Sequence, residues 1–216
     1  MQDIALLELP VVLAVDRAGL VGEDGPTHHG VFDVGYLRQV PGMTVLCPAS
    51  HQELRDMLRW AVLRCNAPVA VRYPRGSEGC YKVSAFAADP AGVCVHREGS
   101  EVTLITYGNL INNVLSAADM LLEKGISVKV LRLLSVTHIP DLSGMVSGKV
   151  VVVEEAAEGS GIKEAVAWNL GGRKVHGIDL GADFVPHGDQ NSQYQYTGQD
   201  AGSITNFVCQ VVHNEE

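Results

Sequence analysis

The sequence has little positive charge and no long apolar run. Its 216 residues carry 16 lysines and arginines against 25 aspartates and glutamates, a formal net charge of −9 at pH 7. This deficit argues against a surface that binds nucleic acid or an anionic membrane. The longest early apolar run is bounded by Pro10 and Asp16, which makes it far too short for a membrane span. Because the start, Met1-Gln2-Asp3, lacks the basic segment of a secretory signal, we predict a cytoplasmic protein.

Cysteine is sparse and irregularly spaced. The chain has five cysteines, an odd number, and none of them forms a Cys-x-x-Cys pair. Disulfide frameworks and zinc sites need paired or closely spaced cysteines. We therefore predict reduced and mostly buried thiols at Cys47, Cys65, Cys80, Cys94 and Cys209.

Lysine is absent from the first third of the chain. Residues 1–76 hold seven arginines and eight acidic residues, whereas 77–216 hold nine basic and seventeen acidic residues. The planar guanidinium suits bidentate recognition of phosphate or carboxylate. An anionic substrate is therefore expected to bind the first part of the chain.

Helical and strand patterns alternate along the chain, which predicts an α/β fold with parallel sheets covered on both faces. Ser50 and Glu53 form a predicted capping box at the start of the third helix. The predicted strands are 10–15, 44–47, 69–72, 102–107, 126–131, 149–154 and 175–180. The predicted helices are 3–9, 32–39, 50–64, 109–124, 159–170 and 202–212.

The periodic patterns are interrupted between residues 77 and 100, where glycine, alanine and an Asp-Pro pair occur without periodicity. We interpret this stretch as a linker. The sequence thus predicts a first domain at 1–76, a linker at 77–100 and a second domain at 101–216.

The loop after the first strand is the strongest candidate for chemistry. It reads Asp-Arg-Ala-Gly-Leu-Val-Gly-Glu-Asp-Gly-Pro-Thr-His-His-Gly-Val-Phe-Asp over residues 16–33. Loops at the carboxyl ends of parallel strands are where such sheets bind ligands. This loop offers a cation, imidazoles and carboxylates.

These residues also carry a family resemblance. Together with Val71-Arg72-Tyr73-Pro74-Arg75-Gly76, the loop resembles the C-terminal half of the 1-deoxy-D-xylulose-5-phosphate synthase family, thiamine-diphosphate-dependent relatives of transketolase. The resemblance runs over essentially the whole chain. It implies an incomplete pyrimidine-binding-type, parallel-sheet domain followed by a transketolase C-terminal-type α/β domain. The implied activity of the complete enzyme is the condensation of pyruvate with glyceraldehyde 3-phosphate, with loss of CO2, for isoprenoid and thiamine precursors.

The sequence departs from the family in what precedes the first strand. The family's activating glutamate and its Gly-Asp-Gly…Asn diphosphate and metal motif have no counterpart, and no Gly-Asp-Gly occurs anywhere. The resemblance therefore implies thiamine diphosphate and Mg²⁺ in the complete enzyme, with neither bound by this chain alone. We expect an inactive half-enzyme that associates with a missing N-terminal half and with itself, as a homo-oligomer such as a dimer.

The resemblance assigns roles to four residues. Asp24 and His28 correspond to the family's catalytic positions, while Arg17 and Arg75 correspond to arginines that hold the acceptor's phosphate. His29 has no assigned role and is expected to be structural or solvent-facing. Without the resemblance, Asp24 is an ordinary Asp-Gly turn residue, and the arginines are surface ion-pair partners worth roughly 0–1 kcal/mol each.

Two neighbouring features are weaker candidates. Arg72 is expected to point away from the site. The run Glu154–Gly161 looks like a glycine-rich phosphate loop but lacks the lysine and carries three glutamates, so we interpret it as a strand end and helix entry.

Two alternatives to this function remain. One is a C-terminal subunit of a split transketolase or a β-like subunit of a 2-oxo acid dehydrogenase. The other is a non-catalytic oligomerisation or interaction module built on the second domain.

Overall fold

The computed structural model describes residues 1–81 and 89–213. These form a three-stranded and a five-stranded sheet, each with flanking helices. The fold class predicted from the sequence, α/β with parallel sheets, is confirmed.

The first sheet is parallel throughout, with strand order β1-β3-β2. Val15 of β1 lies opposite Arg72 of β3, and Leu46 of β2 lies opposite Val71. The elements of this part are α1 (Gln2–Leu6), β1 (Val12–Val15), α2 (Asp33–Arg38), β2 (Thr44–Leu46), α3 (His51–Arg64) and β3 (Val69–Arg72).

The second sheet has the order β4-β6-β5-β7-β8, and β4 is its one antiparallel strand. β5 is buried at every position because strands cover both edges and helices cover both faces. The elements are β4 (Val93–Arg97), β5 (Val102–Tyr107), α4 (Ile111–Glu123), β6 (Val128–Leu133), β7 (Lys149–Val153), α5 (Lys163–Asn169), β8 (Val175–Ile178), α6 (Gln190–Tyr196) and α7 (Ala201–His213).

Three expectations need correction. The predicted linker 77–100 contains β4, which belongs to the second sheet, and its residues 82–88 lie outside the described part of the chain. The helix predicted from 159 begins at Lys163. The five thiols are free, as expected, but only Cys47 is buried.

The capping box forms in a modified way. The Glu53 N–H donates to Ser50 Oγ at 3.2 Å, as predicted. The Glu53 carboxylate, however, accepts from the Ala49 N–H at 2.8 Å, and its other oxygen pairs with the buried Arg132 of β6. This side chain therefore joins α3 to the second sheet.

Main-chain hydrogen bonds also join the two sheets. The Cys47 N–H donates to Leu134 O at 2.9 Å, and the Val136 N–H donates to Val45 O at 3.1 Å. One apolar cluster runs across this junction and contains Val45 and Ala70 together with Ile105 and Leu131. Helices long and apolar enough to cross a membrane are missing from the described residues.

Candidate functional site

The register of the first sheet brings two arginines to one edge. Val15 and Arg72 are paired neighbours at the carboxyl ends of parallel strands β1 and β3. Arg17 follows the first by two residues, and Arg75 follows the second by three. Both guanidinium groups therefore leave the sheet at the edge where α/β sheets bind ligands.

Asp24 lies between these arginines. Its Oδ1 is 2.8 Å from Arg75 Nη1, and its Oδ2 is 3.4 Å from Arg17 Nε. Arg17 also pairs with Asp16 at 2.8 Å. The side chains of Arg17, Arg75 and Asp24 are 42%, 48% and 26% exposed. The cluster is thus open to solvent.

The backbone at Arg17 is strained. Its φ is +62°, in the left-handed region that non-glycine residues rarely occupy. Two contacts hold this conformation: the Arg17 N–H donates to Asp16 Oδ1 at 2.7 Å, and Arg17 O accepts from the Gly30 N–H at 3.0 Å. Residues kept in such conformations are concentrated at functional sites.

The adjacent histidines face different surroundings. His28 is exposed, and its Nδ1 shares a hydrogen bond with Thr27 Oγ1 at 2.9 Å. In the described part of the chain, no hydrogen bond or ion pair joins His28 to Asp24, Arg17 or Arg75. The structure therefore brings together three of the four predicted site residues, while His28 binds Thr27.

His29 is buried and structural, one of the two roles expected for it. Its Nδ1 accepts from the Val21 N–H at 3.1 Å, so Nε2 carries the proton and donates to Val185 O at 3.2 Å. Burial lowers the pKa of this imidazole, which keeps it neutral and keeps both hydrogen bonds.

Arg72 lies beneath the site rather than in it. It is buried and donates two hydrogen bonds to Asp33, from Nε at 3.0 Å and from Nη2 at 3.1 Å. Nη2 also donates to Gly30 O at 3.1 Å, where the loop of residues 16–33 returns to the sheet. The charge of Arg72 is therefore used to fix the loop.

The second domain contributes a residue that the sequence reasoning missed. The buried Glu155 accepts the Leu20 N–H at 3.0 Å, and a Cβ on Gly19 would lie 2.5 Å from its Oε1. The sequence did offer a signal for this role, because two glutamates come directly after a buried valine-rich strand. Carboxylates that are buried there need specific hydrogen-bond partners. Glu154 instead accepts the N–H groups of Ile162 and Lys163, which confirms a strand end and helix entry rather than a phosphate loop.

The described residues contain no cluster of the kind that holds a metal ion. Among them, no three His, Cys, Asp or Glu side chains are grouped closely enough to hold a metal ion. The Gly-Asp-Gly motif is also missing from the sequence. What the site offers is a pair of part-exposed arginines, a carboxylate that bridges them and an exposed imidazole.

Two family models match this chain. The model described as the pyrimidine-binding domain of transketolase matches residues 1–78, and the model of the transketolase C-terminal domain matches residues 92–204. The second match covers more than half of the chain.

The chain belongs to the transketolase family.

Members of the transketolase family are thiamine-diphosphate-dependent transferases, and curated relatives narrow the comparison. The chain is 40% identical over 217 residues to a 1-deoxy-D-xylulose-5-phosphate synthase of Chlorobium phaeovibrioides, with 95% of the chain covered but 34% of the relative. It is 36% identical over 225 residues to the enzyme of that name from Gloeobacter violaceus, covering 99% of the chain and 35% of the relative. The chain therefore spans about a third of the length of these relatives and corresponds to a C-terminal portion.

Solved structures agree with this placement in the transketolase family. A split-gene transketolase, described as an inactive beta4 tetramer, superposes with a TM-score of 0.84 at 26% identity. The match covers 97% of the present chain and 69% of the split-gene transketolase chain. Transketolase from Campylobacter jejuni superposes with a TM-score of 0.79 at 21% identity. This match covers 97% of the present chain and 33% of the Campylobacter chain. The second likeness speaks for the fold alone.

Proposed function

We propose that this chain is the acceptor-binding portion of an enzyme that makes 1-deoxy-D-xylulose 5-phosphate from pyruvate and glyceraldehyde 3-phosphate. The observation that carries the proposal is the cluster of Arg17, Asp24 and Arg75 at the carboxyl edge of the first sheet. Two accessible guanidinium groups that share one carboxylate suit a phosphate, which exchanges for that carboxylate without new burial of charge.

Each residue has a distinct role in the proposal. Arg17 and Arg75 bind the phosphate of the aldehyde through charge-assisted hydrogen bonds, each worth about 1.5–3 kcal/mol. Asp24, displaced from the arginines by the phosphate, becomes available with His28 for proton movements at the aldehyde oxygen. His28 suits this role because its imidazole is exposed, and imidazoles are common general acid–base groups.

The cofactor is proposed to be held elsewhere. Thiamine diphosphate and Mg²⁺ belong to the complete enzyme, and we propose that this chain alone binds them weakly or not at all and is inactive. Calorimetric titration of the chain with both tests this: a micromolar dissociation constant would overturn it.

We also propose association with a partner chain that carries the diphosphate and metal motif, and with a second copy. β1 is an edge strand of the first sheet, and Leu6 of α1 and the following Leu7 are 82% and 65% exposed. Open strand edges and exposed apolar side chains favour association. Light scattering that finds a monomer at all concentrations would contradict self-association.

The domain division, with the second domain extended to include β4, belongs to this proposal.

Substitution of the arginines tests the acceptor site. In the assembled enzyme, Arg17→Ala and Arg75→Ala should each raise the KM for glyceraldehyde 3-phosphate about 10- to 100-fold, since each removes one phosphate contact. Their effects should be less than additive because both side chains bind one group. Arg59→Ala, an exposed arginine on α3, is the matched control. Unchanged KM values, with unphosphorylated glyceraldehyde used equally well, would refute the site.

Substitution of Asp24 or His28 should act on turnover instead. Asp24→Ala and His28→Ala should lower kcat about 100- to 10,000-fold, the usual contribution of general acid–base groups. Steady-state kinetics at saturating glyceraldehyde 3-phosphate measures the change in kcat. A normal kcat with a raised KM would assign these residues to binding.

A further inference from the structure

The segment Leu20–Gly22 crosses the site without a neighbouring strand. Side chains nevertheless form hydrogen bonds with all six of its main-chain N–H and C=O groups. His29 accepts the Val21 N–H, and Arg75 Nη1 donates to Val21 O at 3.3 Å. The remaining four groups bind residues of the second domain. Those residues are Glu155 and Gln190 at Leu20, and Gln193 at Gly22.

Gln193 makes the most extensive of these contacts. Its Oε1 accepts the Gly22 N–H at 2.9 Å, and its Nε2 donates to Gly22 O at 3.0 Å. The second hydrogen of the amide goes to Pro186 O at 2.9 Å. The side chain is 2% exposed, so loss of any partner would leave a buried polar group unsatisfied. This amide therefore fixes both position and orientation of the Gly22 peptide groups.

The fixed peptide sets the geometry of the arginine cluster. Gly22, with φ of +69°, begins the 3-10 turn Gly22–Asp24 that carries Asp24 towards Arg75. Arg75 binds both ends of this turn, through Val21 O on one side and the Asp24 carboxylate on the other. A shift of Gly22 thus moves the carboxylate and the arginine together.

We propose that Gln193 of α6 is a positioning residue for the acceptor-phosphate site, so that the second domain sets the geometry of a site formed by the first. This inference rests on the proposed function, because the phosphate is the ligand that the arginine pair would bind. Small displacements of binding groups are known to be costly: about 1 Å can reduce catalytic efficiency about 100-fold.

The test uses Gln193→Met, which keeps the side-chain volume and removes all three amide hydrogen bonds. Gln199→Met is the matched control. Gln199 is equally buried, and its Nε2 donates to Glu154 O at 2.7 Å within the second domain, so its loss destabilises without contact to the loop. Two measurements are made: amide hydrogen exchange at Gly22 in the chain, and steady-state kinetics of the assembled enzyme with glyceraldehyde 3-phosphate and with glyceraldehyde.

Gln193→Met should accelerate exchange at Gly22 and raise the KM for the phosphorylated aldehyde by about tenfold or more, while the KM for glyceraldehyde changes little. Gln199→Met should leave both readouts near wild type. Unchanged exchange at Gly22, or equal effects on the two aldehydes, would overturn the role of Gln193. A wild-type enzyme without preference for the phosphorylated aldehyde would instead refute the proposed function, whatever the exchange data show.

Discussion

Replacing Glu53 by glutamine tests how strongly the two sheets depend on one buried charge. Glu53 and Arg132 are 1% and 0% exposed, and they form an ion pair between α3 and β6. Arg132 also donates to Tyr81 Oη at 3.2 Å and lies over the Tyr81 ring. In Glu53→Gln the amide can keep the Ala49 hydrogen bond, but it leaves the guanidinium without a counter-charge.

The expected loss of unfolding free energy is about 3–5 kcal/mol, the cost of leaving one partner of a buried pair uncompensated. Typical domains have about 5–15 kcal/mol in total, so the loss should be easily measured by urea denaturation followed by circular dichroism. The double variant Glu53→Gln/Arg132→Met removes both charges and should recover at least half of the loss.

A half-exposed pair provides the control. Arg97 pairs with Asp119, whose side chain is 67% exposed, so Asp119→Asn should cost less than about 1 kcal/mol. If Glu53→Gln were no more costly than Asp119→Asn, the ion pair would not be desolvated as described. If the double variant were as unstable as the single one, packing rather than charge would explain the loss.

Two further predictions concern pH and the loop of residues 16–33. Burial and, to a lesser extent, the nearby Arg132 charge lower the pKa of His96 to about 4. Below about pH 6.5 the unfolded chain therefore binds a proton that the folded chain does not. The free energy of unfolding should fall as the pH drops from 6.5 to 4, by at most about 3 kcal/mol. His96→Gln, which can still accept from Arg132, should flatten that part of the curve in pH-dependent urea titrations, and an unchanged slope would exclude His96 as its source. Gly19→Ala should cost more than about 2 kcal/mol, because φ is +77° and the new Cβ meets the Glu155 carboxylate. Gly42→Ala, at φ of +74° with no atom within 4 Å, measures the backbone strain alone, and equal losses of unfolding free energy would argue against the clash.

Much of the first domain was predictable because its signals are local. The valine-rich strands and the capping residue Ser50 gave boundaries within about two residues of those observed at β1, β2 and α3. The parallel order of β1 and β3 then placed Arg17 and Arg75 at one edge by topology alone. Their proximity to Asp24 followed from no local pattern, since it depends on the turn at Gly22.

The missed elements are those stabilised by distant partners. β4 has only five residues and pairs with β6, more than thirty positions away. α6, Gln190–Tyr196, has no apolar periodicity, because one of its two buried residues is Gln193, whose amide binds Gly22 of the loop after β1. Hydrophobic patterning cannot detect a helix whose inward face is polar.

The main-chain bonds between residues 45–47 and 134–136 make the two domains one unit of stability. Separating them would expose peptide groups and divide an apolar cluster that contains residues of both sheets. Unfolding of either sheet therefore removes hydrogen bonds and apolar contacts that stabilise the other. We expect the chain to unfold in a single cooperative thermal transition. A cut between the two family-model matches, which end at residue 78 and begin at residue 92, should therefore not release two folded pieces.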